Sequence, residues 1–193
     1  MKMGSDKSSK RFVSDYFVEF GKAWNNPIVE SLIIDLVAKI RYSKSLGGRL
    51  IFAGNGASAS ISSHCALDYT KQGKMNSICF SSDAFITALA NDYGYDRWLT
   101  EAIKCYANKE DLVILISSSG RSPNIVSAAE YCKCSDIDVV TLTGFENDNP
   151  LKTLGDLNFW VNSKSYNIIE CTHMFWLMSA CDLLIGKSEY SVS

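Results

Sequence analysis

Two pairs of titratable side chains stand at helical spacing in this 193-residue chain. His64 and Asp68 are four positions apart. Glu170 and His173 are three positions apart, so the members of each pair share a face if their segments are helical. A carboxylate beside an imidazole can move a proton between two carbons, or supply part of a metal site. Such a pair is also often only a surface or a buried structural hydrogen bond, and the sequence leaves both interpretations open.

A second group of residues could hold an anion. The segment GNGAS at 54–58 turns on two glycines and enters a run of small residues, with Ser58 where a helix begins. The segment SSSGRSP at 117–123 offers four hydroxyls and a glycine before another helix start. Unpaired N–H groups at a helix start attract anions, and neutral donors suit a phosphorylated sugar that must be held and released. Each segment alone could be only a connection, and Arg121 either adds charge or faces solvent.

The glycine segment does not match the common nucleotide motifs. Ala59 occupies the position of the third glycine in the dinucleotide pattern G-x-G-x-x-G, and no Walker lysine follows. The sequence therefore does not support dinucleotide or ATP binding.

A repeated strand–turn–helix pattern has to position these residues. Apolar runs predict strands near 49–53, 77–80, 112–116, 138–142 and 157–161, with helices near 58–72, 83–90, 96–107, 122–134 and 167–185. This alternation predicts an α/β fold, a three-layer α-β-α sandwich around a five-stranded parallel sheet of the flavodoxin-like order 2-1-3-4-5. In that order the first and third strands are neighbours, and a ligand binds where their loops converge.

The chain reads as a single domain, 1–193. We expect a flexible polar arm at 1–11, two helices at 12–46 and an α/β core at 49–186. The two apolar helices before the first strand either form an oligomer surface or cover an edge of the sheet, and their apolar content favours the oligomer. Asn91 and Asp92 are typical of a turn or helix end, and could also hold sugar hydroxyls.

Composition narrows the classes of protein and the compartment. Hydrophobic residues make up 47% of the chain and the formal net charge is −2, so a sizeable core is expected and nucleic acid binding is not. No apolar run reaches the roughly 18 residues that suggest a membrane span, and the N-terminus lacks the apolar stretch of a signal peptide. The seven scattered cysteines predict reduced core thiols of a cytoplasmic protein, and the C-x-C at 132–134 has no second metal-type pair.

The combined motifs resemble the sugar isomerase (SIS) domain. They are GNGASASISSHCALD at 54–68, ANDYGY at 90–95, ISSSGRSPN at 116–124 and VTLTG at 140–144. Within that family they are most similar to the phosphoheptose isomerases, which convert sedoheptulose 7-phosphate to a heptose 7-phosphate. The resemblance runs from about residue 10 to residue 186. It implies a cytoplasmic homotetramer with active sites at subunit contacts, and a role in lipopolysaccharide or capsule biosynthesis.

The resemblance also implies which residues contact the sugar phosphate. They are Asn55, Gly56, Ala57, Ser58, Asn91, Asp92, Ser117, Ser118, Ser119 and Ser122.

A zinc site and a proton-transfer pair are implied as well, and here the sequence departs from the family. His64 matches a zinc-binding histidine, and Asp68 matches a glutamate that is both ligand and base but is one methylene longer. On the last helix the family has a glutamine and a histidine where this chain has Ile169 and Leu177. The expected cofactor is therefore either zinc or none. His173 lies one turn before Leu177 and is a candidate substitute.

Two functions of different classes follow. The first is an aldose–ketose isomerase working by enediol chemistry, with Asp68 or Glu170 as base and His64 or His173 as acid. The second is a non-catalytic SIS module that binds a sugar phosphate or a protein partner, similar to the DnaA-binding initiator proteins of bacteria. The retained serines and acids favour the isomerase, whereas the two replaced residues on the last helix favour the module.

Overall fold

The computed structural model describes residues 4–189, with side chains from residue 7 onward. The five strands are β1 (Leu50–Gly54), β2 (Ser77–Cys79), β3 (Leu112–Ile116), β4 (Asp138–Thr143) and β5 (Leu157–Trp160). The helices of this part are α1 (Gly4–Trp24), α2 (Pro27–Ser45), α3 (Ala57–Lys71), α4 (Asp83–Tyr93), α5 (Trp98–Tyr106), α6 (Pro123–Cys134) and α7 (Tyr166–Ile185). A short 3-10 helix, Pro150–Thr153, precedes β5.

The sheet confirms the predicted order. All pairings are parallel, and the strands run β2-β1-β3-β4-β5 across the sheet. In the register of the central pair, Gly54 at the end of β1 is the partner of Ile116 at the end of β3. Both strands therefore end at the same edge of the sheet, and the loops that follow start side by side.

Helices cover both faces of the sheet, as the three-layer prediction requires. One apolar core joins the sheet to α2, α3 and α7, and the other joins it to α4, α5 and α6. Every residue of β3 is buried, which explains why that strand is a continuous apolar run rather than an alternating one.

Helix α7 is apolar nearly all round because it is packed among other helices. It contacts α1, α2 and α3. The indole Nε1 of Trp176 donates to the carbonyl oxygen of Trp24 at 3.1 Å. Of the helices in the described part, α7 alone has the length and apolarity to cross a membrane, with 44% of its most apolar window buried. The core helix of a soluble protein meets the same criteria, and these contacts fit such a helix.

The N-terminal boundary was predicted wrongly. Helix α1 already begins at Gly4, so residues 4–11 are helical rather than a flexible arm, while residues 1–3 lie outside the described part. The polar composition of this segment suggested a loose arm. Lys and Arg are good helix formers, however, and Arg11 lies 3.7 Å from Asp15 in an i,i+4 ion pair.

The end of α4 confirms one of the two interpretations of its polar residues. Asn91 and Asp92 lie in the last turn of the helix, which runs to Tyr93 rather than to the predicted residue 90. Gly94 ends the helix, because its φ of +83° favours glycine and its N–H donates to the carbonyl oxygen of Ala90 at 3.0 Å.

The cysteines are free thiols, but they are not all in the core. Cys65, Cys132 and Cys181 are buried, whereas Cys105, Cys134 and Cys171 are exposed. Burial raises the pKa of Cys132 to about 12, so that thiol stays protonated and unreactive.

The core between α2 and the sheet yields a first prediction. Leu36 is fully buried there, so Leu36→Ala should lower the free energy of unfolding by about 2–5 kcal/mol through lost contacts and a cavity. Arg41 is exposed on the same helix, and Arg41→Ala should change it by less than about 0.5 kcal/mol. Urea denaturation of both variants measures the difference, and equal stability of the two would contradict the packing described above.

Candidate active site

The loop between β1 and α3 brings the chain close to its own helix. A Cβ on Gly54 would lie 2.6 Å from the Cβ of Ser58 and 2.7 Å from its carbonyl carbon, so only glycine fits. Gly56 has a φ of +56° and precedes the first residue of α3. The backbone N–H of Ser58 donates to the carbonyl oxygen of Asn55 at 3.0 Å. The two glycines therefore serve a tight strand–helix connection that leaves the helix start open.

The loop between β3 and α6 forms a compact turn of serines. The N–H of Gly120 donates to the carbonyl oxygen of Ser117 at 2.9 Å, and the hydroxyls of Ser117 and Ser122 lie 3.2 Å apart. Gly120 has a φ of +63° and lies against Asn149, so a side chain at Gly120 would clash. The serines are thus held in place by the loop and by its neighbour.

The two loops and the start of α7 enclose one pocket of about 150 Å³. It lies at the carboxyl ends of β1 and β3, where the sheet order reverses and ligands bind in folds of this kind. Its lining is small and polar, with a single carboxylate: Asn55, Ser58, Ile116, Ser117, Ser118, Ser119, Ser122, Tyr166 and Glu170. The structure therefore gathers the predicted serines, Asn55 and Glu170 in one place.

Glu170 is the titratable group of this pocket. Its carboxylate is half-buried, and its Oε1 accepts a hydrogen bond from the hydroxyl of Ser118 at 3.4 Å. A carboxylate held at the wall of a polar pocket can act as a general base toward a bound molecule. Arg121, by contrast, pairs with Asp148 at 3.4 Å and does not line the pocket.

The pair His64 and Asp68 is formed but does not line this pocket. Nε2 of His64 lies 3.2 Å from Oδ2 of Asp68, and the histidine side chain is 49% exposed. His64 lies six positions beyond Ser58 on α3, or about 9 Å along the helix axis. The two residues are therefore not among those that line the pocket of their own chain, and their catalytic and metal-binding roles stay predictions.

His173 is a core residue, and its prediction as a catalytic group was wrong. Its side chain is fully buried, and its Nε2 lies 3.0 Å from the carbonyl oxygen of Thr143, which can only accept. Burial lowers the pKa of this imidazole from 6.5 to about 4, so it is neutral at pH 7. A three-residue step on a helix turns the side chain away from Glu170 by enough to leave the pocket.

The remaining predicted contacts do not line the pocket. Gly56 and Ala57 are exposed at the start of α3. Asn91 and Asp92 are exposed at the end of α4, where Nδ2 of Asn91 donates to Oδ1 of Asp92 at 3.0 Å. Their contact with a substrate stays a prediction.

Sequence reasoning missed four residues in or beside the site. Tyr166 and Ile116 line the pocket, and the side chains of Tyr95 and Asn124 are hydrogen-bonded to Asn55. Tyr166 could have been found as the first residue of the helix that carries Glu170. Tyr95 and Asn124 stand within two of the motifs, but no local pattern shows that they reach Asn55.

The residues of a single chain do not complete the zinc site that the family resemblance implies. Zinc in proteins takes three or four side-chain ligands, and no group of three or more His, Cys, Asp or Glu side chains that could hold a metal occurs within residues 7–189 of one chain. The two positions that would complete the set are Ile169 and Leu177, which are apolar and buried. Zinc binding therefore stays a prediction.

The fold and the pocket define a class of protein, an α/β domain whose small polar loops form a ligand pocket at the switch point of its sheet. The sequence profile of the SIS domain family matches residues 29–144. The phosphoheptose isomerase of Helicobacter pylori strain P12 is 33% identical over 143 residues, which cover 71% of this chain and 74% of that protein. The phosphoheptose isomerase of Colwellia psychrerythraea is 32% identical over 146 residues, which cover 72% of this chain and 74% of that protein. The chain belongs to the SIS domain family.

Solved structures agree with this assignment. Phosphoheptose isomerase from Francisella tularensis superposes with a TM-score of 0.80 at 25% identity, covering 96% of this chain and all of that one. Phosphoheptose isomerase GmhA from Neisseria gonorrhoeae has a TM-score of 0.83 at 24% identity. The superposition covers 91% of this chain and 98% of that one, and it shows the shared fold.

The buried imidazole of His173 predicts a pH effect on stability. The unfolded chain binds a proton on this residue below pH 6.5, whereas the folded chain does so only near pH 4, its folded pKa. Its contribution is therefore complete above pH 6.5 and is lost as the pH falls to 4, by about 3 kcal/mol. Urea unfolding at pH 7 and pH 4.5 should show a smaller pH dependence for His173→Gln than for the unsubstituted protein.

The exposed His64 provides the control for that measurement. His64→Gln should keep the loss of stability that His173 causes between pH 7 and pH 4.5, because the buried imidazole of His173 is still present. If His173→Gln also kept it, the imidazole would be charged or accessible in the folded protein.

Proposed function

We propose that this protein is an aldose–ketose isomerase that converts sedoheptulose 7-phosphate to a heptose 7-phosphate. The observation that carries the proposal is a half-buried carboxylate, Glu170, in a pocket of serine hydroxyls at the carboxyl ends of β1 and β3. The relatives named phosphoheptose isomerase support a sugar-phosphate isomerase. A phosphorylated sugar is the ligand that both the pocket and these relatives favour.

The loop between β3 and α6, which carries four serines, holds the phosphate. Four serine hydroxyls can donate to its oxygens, once Ser117 and Ser118 turn from their present acceptors, Ser122 and Glu170. No Lys or Arg is among the residues that line this pocket, so the phosphate is held by neutral donors. Neutral donors give directional contacts without the strong charge pairing that would slow product release.

The reaction needs one base and one acid. A base takes the proton from C1 of the ketose, the C2 carbonyl oxygen gains a proton, and a cis-enediol forms. The proton then returns to C2 while the C1 hydroxyl loses its own, which leaves the aldehyde. Glu170 is the base or acid that this pocket supplies, and Asp68 with His64 supplies the other.

His64 and Asp68 reach the pocket from another copy of the chain. His64 and Asp68 are partly exposed on α3, and Leu67 beside them is an apolar side chain with 60% exposure. Helix α1 also exposes apolar side chains, of which Phe12 is 70% and Phe17 is 68% exposed. Surfaces of this kind favour a homo-oligomer, and we propose a tetramer with sites at its subunit contacts.

The compartment follows from the same proposal. A phosphorylated sugar is a cytoplasmic metabolite, and we propose a cytoplasmic protein that supplies sugars for lipopolysaccharide or capsule biosynthesis. The proposal includes neither nucleic acid nor a membrane as a partner.

Exchange of substrate protons tests the chemistry directly. With sedoheptulose 7-phosphate in D2O, proton NMR should show exchange at C1 or new aldose signals. Glu170→Gln keeps the size of the side chain but removes the base, so the exchange rate should fall by about 10²–10⁴-fold. Binding of inorganic phosphate, measured by calorimetry, should change little because the serines remain.

The outcomes separate the two functions. Binding of the sugar phosphate without any exchange by the unsubstituted protein would favour a non-catalytic module. Exchange that is unaffected by Glu170→Gln would remove Glu170 from the mechanism.

Mixed oligomers test whether one site uses two chains. Asp68→Asn alone should abolish turnover, as Glu170→Gln does. If each site takes Glu170 from one chain and Asp68 from another, co-assembly of the two inactive variants restores roughly a quarter of the sites. Turnover by the mixture is the readout, and each variant reassembled with itself is the control. A mixture that stays inactive, with mixed oligomers shown by native mass spectrometry, would place both residues in the site of a single chain.

A further inference from the structure

A buried amide lies directly behind the pocket. Asn124 is in the first turn of α6, and its side chain has no exposed surface. An amide in such a place is costly unless its donors and acceptor are paired. Asn124 does not line the pocket, and the isomerase mechanism does not use it.

Asn124 is paired with a residue that does line the pocket. Nδ2 of Asn124 donates to Oδ1 of Asn55 at 2.9 Å, and Nδ2 of Asn55 donates to Oδ1 of Asn124 at 2.9 Å. The two residues are 69 positions apart, with Asn55 in the β1–α3 loop and Asn124 in the first turn of α6. Two bonds in opposite directions fix both the position and the orientation of the Asn55 amide.

The Asn55 amide has a third hydrogen bond. The phenol of Tyr95 donates to Oδ1 of Asn55 at 3.3 Å. A primary amide has one oxygen with two lone pairs and two N–H donors. In Asn55 both lone pairs and one N–H are therefore engaged, and one N–H remains for a ligand.

The pair orients a side chain rather than holding the loop. The backbone of the β1–α3 loop has its own bonds, such as those from the N–H groups of Ser58 and Ala59 to the carbonyls of Asn55 and Gly56, both at 3.0 Å. The first turn of α6 is likewise closed by the N–H of Ile125 on the carbonyl oxygen of Ser122 at 3.0 Å.

We propose that Asn124 is a positioning residue for the isomerase reaction, and that it locks Asn55 as a hydrogen-bond donor to an oxygen of the sugar phosphate. An unrestrained asparagine could turn either its oxygen or its nitrogen to the ligand. The paired one presents only an N–H, which suits an acceptor such as a phosphate or carbonyl oxygen. The proposal rests on the function proposed above.

Asn124→Asp tests the lock because the new side chain has the same shape. A protonated carboxyl can donate to Asn55 and accept from it, as the amide does. An ionised carboxylate can only accept, so it faces Oδ1 of Asn55 with a second acceptor in place of the Asn124 donor, and the repulsion drives the Asn55 amide to rotate. The KM of Asn124→Asp relative to that of the unsubstituted protein should be near one at pH 5.5 and rise about tenfold by pH 9.

The substrate phosphate also titrates in this pH range, and its effect on KM cancels because the variant is compared with the unsubstituted protein at each pH. Asn158→Asp is the matched control, because the Asn158 amide is also internal, bonded to Thr141 at 2.6 Å, but lies on β5 away from the pocket. Asn158→Asp should lower the melting temperature without a pH-dependent change in KM. A ratio near one at every pH for Asn124→Asp, or a loss of stability alone, would overturn the proposal.

Tyr95→Phe gives a second measurement if Asn124→Asp does not fold. Tyr95 is 55% exposed, so the change is tolerated, and losing its hydroxyl should raise KM by a few fold with little effect on stability. An unchanged KM would count against the lock.

Binding measurements separate this proposal from the isomerase itself. If the protein binds sedoheptulose 7-phosphate but does not convert it, the isomerase proposal fails, and Kd from calorimetry replaces KM in every comparison above. If it binds neither that sugar phosphate nor inorganic phosphate, Asn55 has no such ligand to contact and both proposals fail.

Discussion

The parallel pairing of β1 with β3 is the constraint on which the pocket depends. Because Gly54 and Ile116 are partners in the register, the chain leaves both strands at one point although the two residues are 62 positions apart (116 − 54). The apolar runs of both strands must be buried, and they can be buried together only in this central position. The β1–α3 loop and the β3–α6 loop thus converge as a consequence of core formation.

Helix α7 reaches that point through a second close approach. A Cβ on Gly144, which follows β4, would lie 2.6 Å from Cδ1 of Ile169, so the absence of a side chain lets α7 pack against the end of β4. Ile169 is fully buried by this contact, and Leu177 is buried two turns later. The hydroxyl of Tyr69 donates to the carbonyl oxygen of Leu177 at 2.7 Å. The positions where the family resemblance implies a glutamine and a histidine are therefore part of one apolar packing arrangement, and α7 gives Tyr166 and Glu170 to the pocket.

The sequence predicted the sheet well because strands and core are specified by local patterns. Strand β3 was predicted to the residue, since a buried apolar run bounded by polar loops has one clear interpretation. The start of α1 was missed because its composition is polar, although helix propensity depends on side-chain entropy rather than on polarity.

The site was predicted only in part, for geometric reasons. Spacing of three residues suggested that Glu170 and His173 share a face, but at 3.6 residues per turn they differ by roughly 60° about the helix axis. On a helix at the boundary between pocket and core, that angle places Glu170 in the pocket and His173 in the interior. The amide pair of Asn55 and Asn124 joins residues 69 positions apart, and such a contact has no signature in either local segment.

In the proposed function, the pocket recognises the phosphorylated sugar by the orientation of neutral donors rather than by charge. Arg121 is paired outside it with Asp148, and the residues that line it supply hydroxyls, an amide and one carboxylate. Each neutral donor contributes modestly, so affinity and selectivity depend on donors that already point the right way before the ligand arrives. The bonds from Asn124 and Tyr95 to Asn55 provide that preorganisation for the Asn55 amide. Because the donors need little rearrangement, binding free energy remains available to hold the carbon chain against the acid and base groups.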